Sequence, residues 1–259
     1  YPIAQQLNQL NIERRQVETA MKQQALAALQ HIQLETEHLP AALVMFDEQW
    51  HQGVIGIVAG RLKEQFHRPS LVFAPDEDGI HIKGSARSIE GIHIRDTIEQ
   101  VAERYPHLVS HFGGHAAAAG LTLNKAHFEE FRQIFTQYIA EMDQELFQAT
   151  LWTDGILPDM AVSLSTLDQI EQLGPWGQKF PLPQFEGSFK VIDYRWLKDQ
   201  HLKLKLALGQ QVVDAIAFNA ADRFEFNPML SYVDLVYTLE RNVFNGITSL
   251  QLQVVYLSQ

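Results

Sequence analysis

The amino-acid sequence predicts three successive parts: a long connector helix, an α/β domain and a small all-β barrel. Three observations lead there. Apolar residues recur at nearly helical spacing over residues 3–34. Strand-like and helix-like patterns then alternate over roughly the next 110 residues. From residue 185 onward the pattern is almost wholly strand-like. A chain of 259 residues has room for about two domains with cores of their own.

The connector, residues 1–39, rests on Ile3, Leu7, Leu10, Val17, Met21, Leu29 and Ile32, with Glu, Arg and Gln between them, and is ended by Leu39-Pro40. The α/β domain, residues 40–148, opens with a strand over Ala42–Phe46. The glycine-interrupted segment Gly53–Gly60 leads into a helical pattern over Arg61–Phe66. Strands are predicted at Leu71–Ala74 and Gly79–Lys83, and helices at 94–105 and 125–148, the last on Phe128, Phe131, Ile134, Phe135 and Ile139. The last part, residues 149–259, begins with a strand at Leu151–Leu157, a short helix at 165–172 and a turn-rich stretch, Gly174–Pro183. Strands follow at 185–198, 201–208, 211–218, 232–240 and 249–257. Five strands in so short a span suggest a closed barrel of the OB type.

Composition narrows the function. The chain has no cysteine, which excludes disulfides and Cys-based zinc sites and fits a reducing cytoplasm. No run of about 18 apolar residues occurs and no signal segment opens the chain, so no membrane partner is expected. A net charge of −11 argues against bulk attraction to phosphate backbones, so any nucleic-acid surface must be a local basic patch. The chain begins Tyr1-Pro2, already in helix-forming sequence, as a piece lacking its N-terminal part would.

Four segments carry the chemistry. In His111-Phe-Gly-Gly-His-Ala-Ala-Ala-Ala-Gly120, Gly113 and Gly114 let backbone N–H groups approach a ligand, and the alanine run reads as the start of a helix. A loop feeding a helix N-terminus is a seat for phosphate or carboxylate, with His115 as donor; a glycine turn before a packing helix is the plain alternative. Lys83–Ser88 reads as a loop offering an ammonium, two hydroxyls and a guanidinium, of which Arg87 can grip phosphate bidentately with Ser85 and Ser88 adding hydrogen bonds. In Trp50–Gly56, His51 precedes a helix start that faces a cleft, or simply caps it. In the barrel, Lys190, Arg195, Lys198, Lys203 and Lys205 interleave with Phe189, Tyr194 and Trp196. Charges and rings together suit sequence-tolerant binding of single strands; an edge hairpin with protective lysines explains the same residues.

Absences count too. No Asp-His-His or Asp-x-Asp cluster, P-loop lysine, Gly-x-Ser-x-Gly elbow or His-Glu-x-x-His pair occurs, so this chain alone is expected to catalyse nothing.

Gly113–Gly120 resembles the GGHxxAAG signature of the DHH-associated domain. Together with Trp50–Ala59, Gly84–Ile89, an opening helix bearing Leu10–Arg15 and an OB-like barrel, it is similar to the RecJ-type exonucleases of the DHH phosphoesterase superfamily. The resemblance implies a mixed sheet with helices in the α/β domain. It also implies a metal-dependent 5′→3′ single-stranded-DNA exonuclease of DNA repair and recombination, monomeric and cytoplasmic. Its Mn²⁺ or Mg²⁺ ligands would lie in an N-terminal catalytic domain outside this chain. By the same resemblance Arg87, Ser85 and Ser88 contact phosphates, and Gly113, Gly114 and His115 face the scissile nucleotide, with Arg87 and His115 stabilising phosphate charge. His51 is a further cleft residue. The barrel holds upstream single strand and can meet the single-stranded-DNA-binding protein. Gly174–Pro181 departs from the family's turn, so no role is carried onto it. Two other readings stand beside this one: a DHH phosphodiesterase for short oligonucleotides or cyclic dinucleotides, and a non-catalytic module that binds single-stranded DNA or a protein tail.

Overall fold

The computed structural model describes residues 2–36, 39–177 and 180–259. The chain divides into two compact units, residues 1–149 and 150–259.

The first unit opens with α1 (Pro2–Thr36). Met21 and Ala25 are buried, whereas Ile3, Leu7 and Leu10 lie exposed on its N-terminal half. The side chains of Leu29 and Ile32 fall outside the described set. A five-stranded sheet follows, made of β1 (Leu43–Phe46), β2 (Ser70–Pro75), β3 (His81–Arg87), β4 (Val109–Gly114) and β5 (Ala118–Asn124), in the order β1-β2-β3-β5-β4. The pair β1–β2 is parallel and the other pairs antiparallel, so the sheet is mixed. A parallel pair needs a crossover, and α2 (Ile55–Phe66) supplies it.

Two cores hold this unit. On one face Leu71, Phe73, Ile82, Ala86, Leu121 and Leu123 pack with α3 (Ile94–Arg104) and α4 (Phe128–Ala140), whose Phe131 and Phe135 are fully buried and stack at 5.5 Å. Truncating Phe131 to alanine should cost about 3–5 kcal/mol. On the other face Leu43, Met45, Val72 and Ala74 are covered by Val58, Ala59 and Leu62 of α2 and by Met21 of α1. Trp50 joins this second core and donates its indole N–H to Gln24 Oε1 at 2.8 Å.

Four sequence expectations change. Residues 83–88 are not a loop: all but Ser88 belong to β3, where Ile82, Gly84 and Ala86 face the core in strict alternation. Residues 112–120 are not a loop entering a helix. They form the β4–β5 hairpin, because Ala119 and Leu121 bury against the sheet while Ala118 and Gly120 pair with Arg87 and Ser85. Helix α2 already begins at Ile55, ahead of Arg61. Leu151–Leu157 is irregular, with one bridge, Ile156 to Glu186.

The second unit carries α5 (Leu164–Leu173), capped by the Ser163 hydroxyl accepting from the Thr166 N–H at 3.2 Å. Its strands are β6 (Phe185–Leu197), β7 (His201–Leu208), β8 (Gln211–Ala217), β9 (Tyr232–Phe244) and β10 (Ile247–Ser258). They close into a barrel in the order β10-β8-β7-β6-β9, with β8–β10 as the parallel pair. Leu202, Leu204, Leu206, Ala215, Leu235 and Leu252 fill it. Tyr237 is buried with them, and burial pushes its phenol up to about 12. Of the Gly174–Pro183 stretch, Gln178 and Lys179 lie outside the described residues.

Candidate nucleic-acid interface

Alternation along β3 sorts its side chains cleanly. Ile82, Gly84 and Ala86 enter the core; Lys83, Ser85 and Arg87 point to the opposite face. That face is covered by α2 only as far as β3. Across β5 and β4 it is paved by rows of directly opposed residues: Arg87 and Ala118, then Ser85, Gly120 and Gly113, then Lys83, Thr122 and His111. The middle row has a hydroxyl at one end and two exposed glycines beyond it, which makes a bare backbone floor.

The glycines differ in what demands them. A Cβ on Gly84 would lie 2.3 Å from a Phe73 ring carbon, so packing requires glycine there. A Cβ on Gly113 would meet nothing within 4 Å, and one on Gly120 only the Gly84 carbonyl at 3.9 Å. The fold itself has room for side chains at both. Their absence leaves the backbone open to close approach by a ligand. Gly114 is of the first kind: φ is +150° and a Cβ would lie 2.4 Å from the Ala118 carbonyl.

Arg87 is the charge on this face. Its guanidinium donates to Ser85 Oγ and to the Ala86 carbonyl, both at 2.9 Å, and among the described residues no carboxylate pairs with it. Arg14, Arg61, Arg95, Arg132 and Arg241, by contrast, each pair with Glu or Asp. Lys83 is also neutralised, held by Asp76 at 2.9 Å, which raises its pKa and lowers that of Asp76. Gly56, in the first turn of α2, lets the helix start come in against this pair, since a Cβ there would lie 2.9 Å from the Arg87 guanidinium and 3.0 Å from Ser85 Oγ. No side chain caps that turn. The Arg87 guanidinium, the Ser85 hydroxyl and the first turn of α2 thus lie side by side on this face. Of the two helix starts that the sequence predicts, the one after Gly113 is a hairpin, and the one after His51 is present as α2.

The remaining predicted residues divide. His115 sits exposed in the β4–β5 turn, its N–H donating to the Ala118 carbonyl at 2.8 Å, so it lies at the same end of the sheet as Arg87. Ser88 does not join them. It is buried, and its hydroxyl donates to the Ile92 carbonyl at 2.7 Å, which removes it from the phosphate-binding set. His51 acts as a local cap, its Nδ1 accepting from the Gly53 N–H at 2.9 Å.

In the barrel, β6 and β7 form a two-faced ribbon. A one-residue bulge between Val191 and Asp193 shifts the alternation, so Arg195 stands opposite Lys203, and Tyr194 and Trp196 opposite the buried Leu204 and Leu202. The cations Lys190, Arg195, Lys203 and Lys205 thus take one side and the rings the other. Tyr194 and Trp196 remain 41% and 37% exposed, and Tyr194 meets Phe226 at 5.1 Å. Phe189 is core. Lys203 pairs with Asp214 at 2.7 Å. Lys198 and Asp199 both have positive φ in a turn closed by the Gln200 N–H to the Leu197 carbonyl, which puts Lys198 at the hairpin tip.

Among the described residues no three His, Asp or Glu side chains converge as metal ligands.

Comparison with known proteins matches the two units separately. Residues 39–141 match the family model of the DHHA1 domain, and residues 153–256 that of the RecJ OB domain. The chain is similar to RecJ proteins in both of its units. The single-stranded-DNA-specific exonuclease RecJ of Haemophilus influenzae is 42% identical over 260 residues, covering 98% of this chain and 45% of that protein. The chain therefore spans less than half the length of this relative. Crystal structures of RecJ from Thermus thermophilus superpose with TM-scores of 0.75 (Mg²⁺ complex, 25% identity) and 0.72 (Mn²⁺ complex, 26% identity). Both cover 98% of this chain, and 37% and 35% of theirs. In RecJ terms, Arg87, Ser85 and the glycine floor lie within the DHHA1 match and the β6–β7 ribbon within the OB match.

Proposed function

We propose that this chain is the substrate-binding portion of a metal-dependent 5′→3′ single-stranded-DNA exonuclease acting in DNA repair and recombination. The observation that carries the reading is the unpaired Arg87 guanidinium, joined to Ser85 and set beside a floor of exposed glycines. A phosphodiester laid on that floor meets backbone at Gly113 and Gly120, a hydroxyl at Ser85 and a fixed positive charge at Arg87. As negative charge builds on the phosphoryl oxygens, Arg87 stabilises it without reorganising, and His115 at the hairpin turn donates from the flank. The contacts touch no base, so binding tolerates any sequence.

The proposal places the divalent ion, Mn²⁺ or Mg²⁺, on side chains outside this chain; the Thermus relatives carry both. The barrel takes the upstream strand: Lys190, Arg195, Lys203 and Lys205 neutralise phosphates, Lys198 extends the charge to the hairpin tip, and Tyr194 and Trp196 offer ring faces to bases. A single-stranded-DNA-binding protein is the partner this places on the barrel, and the working form is a cytoplasmic monomer.

The test is Arg87→Ala in the complete enzyme, assayed on a 5′-phosphorylated single strand. Turnover should fall about 100- to 1,000-fold, as for loss of a charge-stabilising donor, with the melting temperature unchanged. Wild-type turnover would overturn the assignment.

A further inference from the structure

Two residues beside the Arg87 seat are placed as a second contact point. A bulge in β4 lies between Val109 and His111: Val109 faces Leu123, but His111 faces Thr122 and Gly113 faces Gly120. With Ser110 as the extra residue, the alternation of the strand reverses. Without it, His111 and Gly113 would point into the core and Phe112 would point out. Bulges that re-aim side chains beside a functional site are a recurring device. Here the same insertion turns both Gly113 and His111 onto the open face.

Thr122 stands directly opposite His111 and opposite Lys83. Among the described residues neither the His111 ring nor the Thr122 hydroxyl makes a hydrogen bond. By contrast His81, His93, His107 and His127 each hold a partner. This row lies two residues along the strands from Ser85, Gly120 and Gly113, a step of about 6.7 Å. That step is comparable to the spacing of successive phosphates on an extended single strand. Lys83, tied to Asp76, closes the row on one side.

We propose that His111 and Thr122 form a second station, which binds the phosphate or sugar one nucleotide on from the phosphate held by Arg87 and Ser85. The inference rests on the Arg87 reading and extends it from one nucleotide to two. Both side chains present hydrogen-bonding groups that suit phosphate or sugar oxygens.

The experiment compares thymidine 5′-phosphate with 5′-phosphorylated thymidine dinucleotide as ligands of the 259-residue chain, by NMR titration. The wild-type chain should favour the dinucleotide by about five- to tenfold, the worth of one or two net hydrogen bonds. In the His111→Ala/Thr122→Val double variant that advantage should vanish while mononucleotide affinity stays at the wild-type value. His111→Ala alone, at an exposed position, should lose part of it with an unchanged fold. A double variant that keeps the full dinucleotide advantage, or a wild-type chain that shows none, overturns the second station. Arg87→Ala separates the two claims: it should abolish mononucleotide binding, and if it does not, the first reading fails whatever the double variant does.

Discussion

The open face of the first unit and the β6–β7 ribbon of the barrel share a construction but present different surfaces. Each is antiparallel, each carries cations at alternate positions, and in each a one-residue bulge resets which side chains face outward. On the first face the bulge brings up Gly113 and His111, beside the Ser85 and Thr122 hydroxyls and a guanidinium with no carboxylate partner among the described residues. On the ribbon it separates charges from rings, so Arg195 and Lys203 stand on one side and Tyr194 and Trp196 on the other. The first surface concentrates bare backbone and polar groups beside one guanidinium. The second spreads several weaker contacts along two strands. Under the roles proposed above, acting on one bond and holding a passing strand call for opposite uses of the same alternation.

Filling the floor should break that contrast most severely. Gly113→Val or Gly120→Val introduces a side chain into space that the fold leaves empty. Nucleotide binding to the first unit should fall at least tenfold with little change in melting temperature; loss of fold instead would make the glycines structural. Gly84→Ala sharpens the contrast from the other side. Its Cβ would collide with Phe73, so stability should drop by about 1–3 kcal/mol, readable as a lower denaturation midpoint.

On the ribbon, Lys205→Gln and Trp196→Ala should each weaken oligothymidylate binding several-fold, but only the lysine change should flatten the salt dependence, by about 0.7 in the log–log slope. Equal slopes for both variants would show that charge and ring faces are not separate devices.

The smallest effect belongs to Asp78 at the β2–β3 turn. Hydrogen bonds from the His81 backbone N–H, the His81 ring and the Ile80 N–H lower its pKa from 3.8 to about 2. A depressed carboxylate contributes stability above its ordinary range, and that contribution is lost as pH falls toward 2. Asp78→Asn should therefore flatten the acid limb of the stability profile slightly and leave neutral-pH binding unaltered.

Much of this architecture was legible in the sequence, and what was hidden had one cause. The five barrel strands and the helices of the first unit follow from periodic apolar residues large enough to mark a face. In β3 and β5 the same period of two runs through Gly84, Ala86 and Ala119, residues too small to announce strands. Only pairing with neighbouring strands makes them so. The proposed anion seat suffered likewise: Arg87 and Ser85 could be named as a pair, but Gly56, distant in sequence, joins them only when α2 crosses over the sheet. Ser88 looked equivalent to Ser85 until the end of β3 turned it inward. The bulge at Ser110 had no sequence signal, and with it the outward aim of His111 was unreadable.

Closure of the barrel governs how the second unit can be assembled. Strand β10 is bonded to β9 along one side and to β8 along the other, the latter pair uniting segments near Asp214 and Gln251. Until β10 is in place, β8 and β9 each offer an unpaired row of N–H and C=O groups, and Val243 and Phe244 lie exposed beside them. An incompletely made barrel is thus a template for joining other chains. Its final strand is what converts a self-adhesive sheet into a barrel with no free edge.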